Sequence, residues 1–271
     1  MGGSDVLQVS VDFRDEVDEF HGFLRGLDAA DWHRETGFMG WTPWDVVAHL
    51  HYFDQVSRIA FDGEEAFKPE RKALFAAVSR GTTNQTLARE RLGHLDAPAL
   101  LSAWRDTAYA LADSLGAAAP KQRLPWFGPD MGVAMFTTAR YMETWAHAQE
   151  VYDLVGATRV HTDRIKNIAT IGVKTFGWTF VNRKLEVPEP TPFVELAAPS
   201  GATWEWNDPS ESERIRGDAV DFCHVVTQGR NIADTPLEVT GTVASQWMAI
   251  AQCFAGEAVD PPKPGTRVAA A

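Results

Sequence analysis

The stretch "WTPWDVVAHLHYFD", residues 41–54, carries the start signals of a long helix. Thr42 stands at an N-cap position, Pro43 follows at the first helical position, and Asp45 lies three residues after the cap. Apolar residues then recur at offsets of three and four, which is the pattern of a helix with one buried face. We predict a core-facing helix that runs to about Phe61.

One histidine of this helix lies on the predicted core face. His49 shares its helical stripe with four apolar residues: Val46, Phe53, Val56 and Ala60. His51 lies two positions further along, about 200° round the helix, so both rings cannot face the same core. Because the stripe of His51 is more polar, we interpret His51 as peripheral.

A second stretch, "RYMETWAHAQEVYD", residues 140–153, places Glu143 and His147 four residues apart on one helical face. Their stripe is otherwise apolar: Phe136, Ala139, Val151 and Leu154. Burying such groups without partners is costly. One explanation is a divalent metal held by His49, Glu143 and His147, and the other is an ordinary contact between helical side chains. The spacing of these residues alone does not distinguish the two explanations.

If the site is real, its donor set narrows the choice of metal. Two imidazole nitrogens and one carboxylate oxygen suit Zn²⁺, with an open fourth position for water or substrate. Fe²⁺ and Ni²⁺ accept the same ligands.

The first part of the chain has the pattern of a helical bundle. Long amphipathic segments are predicted over residues 7–24, 96–116 and 133–155, in addition to the helix that starts at Thr42. Residues 64–95 are predicted as short helices and loops, interrupted by three helix-breaking residues: Pro69, Gly81 and Gly93. Four long helices with one longer connection indicate a four-helix bundle, so the chain is predicted to be mainly α.

The second part changes character. We predict a domain over residues 1–156, a helical and Pro-rich connection over 157–190, and an α+β domain over 191–258, with a disordered tail from 259 to 271. The segments "FVELAAP", "ATWEWND" and "LEVTGT" alternate as short strands do. "GDAVDFCHVVTQGR" and "VASQWMAIAQCFAG" are interpreted as helical.

Composition excludes several classes of function. The 271 residues carry a net charge of −12 without clustered Lys or Arg, which argues against a nucleic-acid partner. There is no apolar run of 18 residues and no secretory leader, so we expect a cytoplasmic protein that does not insert in a membrane. Cys223 and Cys253 lie in apolar segments and are interpreted as buried, reduced thiols. A monomer and a homodimer both remain open.

Two motifs in combination resemble a known family. "WTPWDVVAHL", followed about 90 residues later by "RYMETWAHAQEVYDLVG", is similar to the DinB-like superfamily, and within it to mycothiol-dependent maleylpyruvate isomerases and their relatives. The resemblance implies a DinB-like four-helix bundle followed by a smaller, sterol-carrier-like α+β domain. It also implies that His49, Glu143 and His147 are the metal ligands, with zinc as the expected metal.

The second half of the chain also resembles the isomerases. "IRGDAVDFCHVVTQGRN" is similar to the segment from which they contribute an active-site arginine, which falls here on Arg230. The resemblance implies that Arg230 is catalytic. In that role Arg230 would hold a substrate carboxylate through two parallel hydrogen bonds, and the alternative is that it caps the end of its helix or pairs with Asp234. The Trp-rich pieces "ATWEWND" and "SQWMAIAQCFAG" depart from the isomerases and look like an uncharacterised branch of metal-binding relatives. The resemblance therefore supports metal binding more strongly than it supports the isomerase reaction.

The implied cofactor is a thiol, either mycothiol or another low-molecular-weight thiol. A thiol at an open zinc position becomes a thiolate, which can add to an activated alkene or displace a leaving group. We therefore expect an isomerase or an S-transferase that acts on a small acidic substrate. The alternative is a non-catalytic, metal-containing protein that binds a small ligand.

Overall fold

The computed structural model describes residues 7–119 and 121–267. The chain divides into two compact units, Met1–Val155 and Gly156–Ala271. Each unit is described by itself below.

The first unit is helical. Its helices are α1 (Gln8–Leu24), α2 (Pro43–Phe61), α3 (Glu64–Ser79), α4 (Asn84–Leu92), α5 (Ala97–Gly116) and α6 (Val133–Leu154). The four longest, α1, α2, α5 and α6, form the predicted bundle, in which α1 and α2 each pack against both α5 and α6. The mainly α architecture with a helical first part is thus confirmed.

Large side chains close the core of the bundle. Phe20 of α1 meets Trp104 of α5 edge to face, with ring centroids 5.7 Å apart, and both side chains are fully buried. Leu50 of α2 and Trp145 of α6 are buried from the other two helices. Each such side chain contributes on the order of 2–3 kcal/mol through its removal from water. This packing holds the helices that carry the candidate ligands in a rigid frame.

The start of α2 matches its sequence signals. The Asp45 backbone N–H donates to Thr42 Oγ1 at 3.3 Å, and the Thr42 backbone N–H donates to Asp45 Oδ2 at 2.9 Å, which completes a capping box. Arg89 of α4 clamps the same carboxylate through Nε and NH2, at 2.6 and 2.7 Å. Asp45 is therefore the cap of α2 and also its anchor to α4.

Two local features of this unit differ from expectation. α3 continues through Pro69, the sixth residue of the helix, although this proline cannot donate the usual backbone hydrogen bond to the Glu65 carbonyl. The buried side chains of Phe67 and Leu74 support the helix on its inner face. The segment between α5 and α6, for which no strand was predicted, contains a small antiparallel hairpin of two-residue strands: β1 (Arg123–Leu124) and β2 (Met131–Gly132).

The second unit is α+β, as predicted. Its helices are α7 (Lys166–Lys174), α8 (Phe176–Asn182), α9 (Ala219–Val226) and α10 (Thr242–Ile250), and its strands are β3 (Phe193–Ala197), β4 (Thr203–Trp206), β5 (Arg214–Asp218) and β6 (Glu238–Thr240). The sheet has the order β4-β3-β5-β6, with β3 and β5 parallel and the outer pairs antiparallel. Strand β5 was not predicted.

A glycine explains how α7 packs. A Cβ at Gly172 would lie 2.8 Å from Val226 Cγ2 and 3.1 Å from Phe222 Cε1. The missing side chain therefore lets α7 approach α9 closely, and a residue that weakens a helix in isolation is required by packing.

The C-terminal end of the second unit is more ordered than expected, and its N-terminal end is helical. The predicted helical connection over 157–190 contains α7 and α8, whose apolar residues, including Ile168 and Phe180, are buried. The expected disordered tail is held through residue 267, where Asn231 Nδ2 donates to the Pro262 carbonyl at 2.8 Å and Arg267 NH1 donates to the Gln228 carbonyl at 2.7 Å. Residues 268–271 of that tail lie outside the described residues.

Two expectations from composition concern the whole chain. Cys223 and Cys253 are both free thiols and both buried, as predicted. Searching the described ranges for a helix long and apolar enough to cross a membrane finds none.

Candidate metal centre

Three side chains predicted as ligands meet between α2 and α6. Glu143 Oε2 lies 3.3 Å from His49 Nε2 and 3.5 Å from His147 Nε2. All three candidate ligand atoms lie within 4.8 Å of one another. The three residues selected from the helical stripes therefore lie together in the structure, while metal ligation itself stays a prediction.

The spacing of these atoms fits a metal ion. Around a tetrahedral Zn²⁺ with bonds of about 2.0–2.2 Å, neighbouring ligand atoms are separated by about 3.3–3.6 Å. The two distances from Glu143 fall in this range. Two imidazoles and one carboxylate also form a catalytic type of donor set, which leaves a coordination position for an exogenous ligand.

The cluster is buried on the histidine side and open on the carboxylate side. His49 and His147 are both buried, whereas the Glu143 side chain is 25% exposed. Among the three side chains Glu143 is thus the most accessible to solvent, while the two imidazoles are largely shielded from bulk water.

The two histidines differ in charge. Burial lowers the pKa of His49 to about 4, only partly opposed by its hydrogen bond to Glu143, so this ring is neutral at pH 7. Burial also acts to lower the pKa of His147, but the charge of Glu150 and hydrogen bonds to Glu143 and Glu150 raise it to about 10. The pKa of Glu143 lies well below its ordinary value, because hydrogen bonds from both histidines outweigh its burial.

Aromatic rings surround the imidazoles. The Trp41 ring stacks on His147 with an interplanar angle of 12°, and Phe38 meets the same ring edge to face. Phe53 packs against His49 from one turn further along α2. Trp41 and Phe38 come from a tight loop in which Gly40 has φ +69°, a conformation that favours glycine. This apolar shell strengthens electrostatic interactions inside it.

A carboxylate that the sequence reasoning did not single out contacts His147. Glu150 Oε1 lies 3.2 Å from His147 Nδ1, the ring nitrogen that faces away from Glu143. Glu150 is three residues after His147 on α6, a spacing that places both on one helical face. From this spacing the contact between Glu150 and His147 could have been predicted.

Arg140 lies on α6 three residues before Glu143, but its partner is a different carboxylate. In the structure its Nε donates to Asp54 Oδ1 at 3.0 Å, in a buried pair that also receives the Trp104 indole N–H at 3.1 Å. This pair ties α6 to α2 close to the ligands, because Asp54 lies five residues after His49.

His51 lies outside the cluster, as its angle round α2 predicts, but it is buried rather than near the surface. Its Nε2 lies 3.1 Å from Gln55 Nε2, and burial lowers the pKa of its ring to about 4. His51 itself is therefore covered by the rest of the bundle, whereas Arg58, one of the polar residues on its side of α2, is exposed.

Arg230 lies in the second unit, just after α9. The backbone N–H groups of Gly229 and Arg230 both donate to the His224 carbonyl, at 2.8 and 3.1 Å, so the turn that ends α9 fixes the backbone of Arg230. Gln228 takes the left-handed conformation that commonly ends helices, with φ +58°. A substrate-binding role for Arg230 stays a prediction.

Comparison with known proteins adds the family. Residues 13–152 match the family model of the mycothiol maleylpyruvate isomerase N-terminal domain. The chain belongs to this family. The chain is also similar, at 37% identity over 245 residues, to an uncharacterized protein of Mycobacterium tuberculosis from strains H37Rv and CDC 1551. That match covers 90% of this chain and 94% of the relative.

Solved structures support the fold of this family member. The crystal structure of the mycothiol-dependent maleylpyruvate isomerase matches with a TM-score of 0.51 at 13% identity, covering 80% of this chain and 87% of that one. A histidine-to-alanine mutant of that isomerase matches with a TM-score of 0.50 over the same shares. The resemblance found in the two helical motifs is thus confirmed, and the DinB-like assignment fits it.

Proposed function

We propose that this family member is a metal- and thiol-dependent enzyme that holds one divalent ion, zinc, through His49, Glu143 and His147. The observation that carries the proposal is the convergence of two imidazole nitrogens on one carboxylate oxygen, at 3.3 and 3.5 Å, inside a helical bundle. Nickel and iron accept the same donors and remain the alternatives.

When bound, zinc supplies the positive charge that keeps a thiol deprotonated at neutral pH. The chain contributes the surroundings. Glu143 is ionised because its pKa is well below the ordinary value, and because its side chain is the most exposed of the three, the thiol is proposed to approach from its side. Phe38 and Trp41 exclude water beside His147, so that charges in the site are weakly screened.

The thiol proposed is mycothiol or a low-molecular-weight thiol like it. Membership of the mycothiol maleylpyruvate isomerase family supports this choice. The reaction proposed is an isomerisation through reversible addition of the thiolate to an activated alkene, or transfer of the sulfur to an electrophile. Arg230 is proposed to hold the carboxylate of a small acidic substrate, since its planar fork matches two carboxylate oxygens.

Metal content tests the first part of the proposal. Purified protein is expected to retain about one zinc ion per chain after dialysis, measured by elemental analysis. Less than a tenth of an equivalent, with no rebinding of Zn²⁺, Ni²⁺ or Co²⁺, would overturn the metal site.

Thiol binding and turnover test the second part. Mycothiol added to the Co²⁺-substituted protein is expected to produce sulfur-to-cobalt charge-transfer absorption in the near ultraviolet. An isomerase leaves the free-thiol concentration unchanged during turnover of maleylpyruvate, whereas a transferase consumes thiol in step with product. No spectral change with any small thiol would favour the non-catalytic binding protein instead.

The role of Arg230 has its own variant. Arg230→Lys keeps the positive charge and loses the two-donor fork. We expect this variant to bind metal and thiol as the native protein does, and to lose turnover of an acidic substrate. Unchanged turnover would remove Arg230 from the mechanism.

A further inference from the structure

The two histidines of the cluster use their second ring nitrogens differently. His147 Nδ1 lies 3.2 Å from Glu150 Oε1, while its Nε2 faces Glu143. His49 also turns Nε2 toward Glu143, but its Nδ1 is buried without a hydrogen-bond partner among the described residues. Only one of the two rings is therefore held at both ends.

The surroundings of His147 limit the ring to this orientation. Trp41 stacks on one face at a centroid distance of 5.4 Å, and Phe38 meets the ring edge to face at 5.2 Å. A 180° flip of the ring would replace Nδ1 by Cδ2 beside Glu150 and Nε2 by Cε1 beside Glu143, so both contacts with carboxylate oxygens would be lost. Glu150 is itself largely buried, with 11% of its side chain exposed, so water competes weakly for the bond.

We propose that Glu150 is a positioning residue, which accepts the Nδ1–H of His147 and thereby presents the Nε2 lone pair of this ring to the metal. Its effect on the metal rests on the proposed function above. A histidine that donates its outer N–H to a carboxylate becomes a more basic ligand, and loss of such a partner typically costs about 10–100-fold in metal affinity.

Three variants separate this role from general packing. Glu150→Leu removes the acceptor, whereas Glu150→Gln keeps an acceptor oxygen of nearly the same shape without the charge. Glu90→Leu makes the same change at an exposed position of α4 and serves as the matched control. Folding of each variant is checked by circular dichroism.

We expect Glu150→Leu to weaken zinc binding by about 10–100-fold in competition with a chelator, and Glu150→Gln to fall between Leu and native. Glu90→Leu is expected to match the native protein. Zinc affinity of Glu150→Leu within twofold of native, in a folded protein, overturns the proposal.

A second readout needs no metal. In protein labelled with ¹⁵N-histidine, the Nδ1–H of His147 is expected as a downfield, slowly exchanging proton signal, assigned by its absence from His147→Ala. The signal should disappear in Glu150→Leu and remain in Glu150→Gln. If native protein bound no metal but showed this behaviour, the proposed function would fail and the positioning role would stand. A signal that persists in Glu150→Leu overturns the role whether or not metal binds.

Discussion

At the scale of single residues, the Glu143 carboxylate lies between two imidazoles, of which one is neutral and the other protonated. In the metal-free protein His147 is charged at neutral pH, because its pKa is raised to about 10, whereas His49 is neutral, because its pKa is lowered to about 4. A metal ligand must be a neutral imidazole. Metal therefore competes with one proton, the one on His147.

This competition predicts proton release on zinc binding. At pH 6 His49 is already neutral and Glu143 is ionised, so binding should release about one proton per zinc ion, all from His147. Water bound to zinc ionises near pH 7 and adds less at pH 6. Calorimetry in buffers of different ionisation enthalpy counts the protons. A release near zero, or near two, would contradict the assigned charges.

Between about pH 5 and pH 9 the apparent zinc affinity should rise as pH rises, since the proton on His147 becomes easier to displace. The sign follows from the raised pKa of His147: lower pH favours the protonated ring and higher pH favours the ligand. An affinity that does not change with pH across this window would exclude a charged His147.

A second prediction distinguishes the histidines of α2. His49→Ala and His147→Ala should each abolish tight metal binding, while His51→Ala should keep it, because the His51 ring lies outside the cluster. Elemental analysis of the three variants is the measurement. Retention of metal by His49→Ala and its loss from His51→Ala would mean that the other face of α2 carries the ligand.

The cluster of candidate ligands could be predicted from sequence, and the hydrogen-bond partners of these residues only in part. His49, Glu143 and His147 follow from helical periodicity, which fixes the face on which a side chain lies. The bond of Arg140 to Asp54 depends on which of several buried groups its long side chain reaches, and periodicity does not decide that. Glu150 lies three residues after His147, a spacing that permits a contact, but the hydrogen bond between them depends on the rotamers of both side chains.

At the scale of elements, the first turn of α2 performs two tasks. Asp45 completes the capping box and also receives both Arg89 nitrogens, so a single carboxylate starts one helix and fastens another. The cap of α5, Asp96, performs only the first task, with its Oδ1 accepting the Ala99 N–H.

The two caps therefore predict unequal losses of stability. Asp96→Ala should lower the free energy of unfolding by about 1 kcal/mol, as loss of an N-cap does. Asp45→Ala should cost about 1–3 kcal/mol more, because further hydrogen bonds to a buried carboxylate are lost. Urea titration of both variants is the measurement. Equal losses would show that the Arg89 clamp contributes nothing.

Elements with strong end signals were predictable, and elements that depend on distant partners were not. α2 and α5 begin at recognisable caps, and α6 ends before Gly156. Strand β5 is short and runs directly into α9, so its hydrogen bonds to β3 and β6 decide its conformation. α3 passes through Pro69 because the buried face of the helix outweighs one lost hydrogen bond.

At the scale of the whole molecule, the three candidate ligands all belong to the first unit, Met1–Val155. We therefore predict that residues 1–155 expressed alone bind one metal ion with an affinity within about tenfold of the full chain, since no ligand is lost. Isothermal titration with Zn²⁺ checks this, with His147→Ala in the same fragment as control. A folded fragment without metal affinity would require a ligand from the second unit.

The organisation of the chain into two units could be predicted from sequence patterns only in part. A shift from long helical stripes to short strands predicts a division of the chain near residues 156 to 190, and the two compact units divide between Val155 and Gly156. The role of residues 157–190 could not be predicted from their Pro-rich end, because the burial of α7 and α8 arises from packing against α9 and α10.

Because Trp41 stacks on His147, the fluorescence of Trp41 should report on the state of the site. An excited indole is quenched by a protonated imidazole in van der Waals contact, through electron transfer to the cationic ring. Replacement of that proton by an ion without accessible redox states, such as zinc, should brighten Trp41, whereas a paramagnetic ion such as nickel should darken it. Nine other tryptophans contribute a background, which a Trp41→Phe protein supplies for subtraction. The same ring that shields the imidazole from water thus serves as a native fluorophore for the ion beside it.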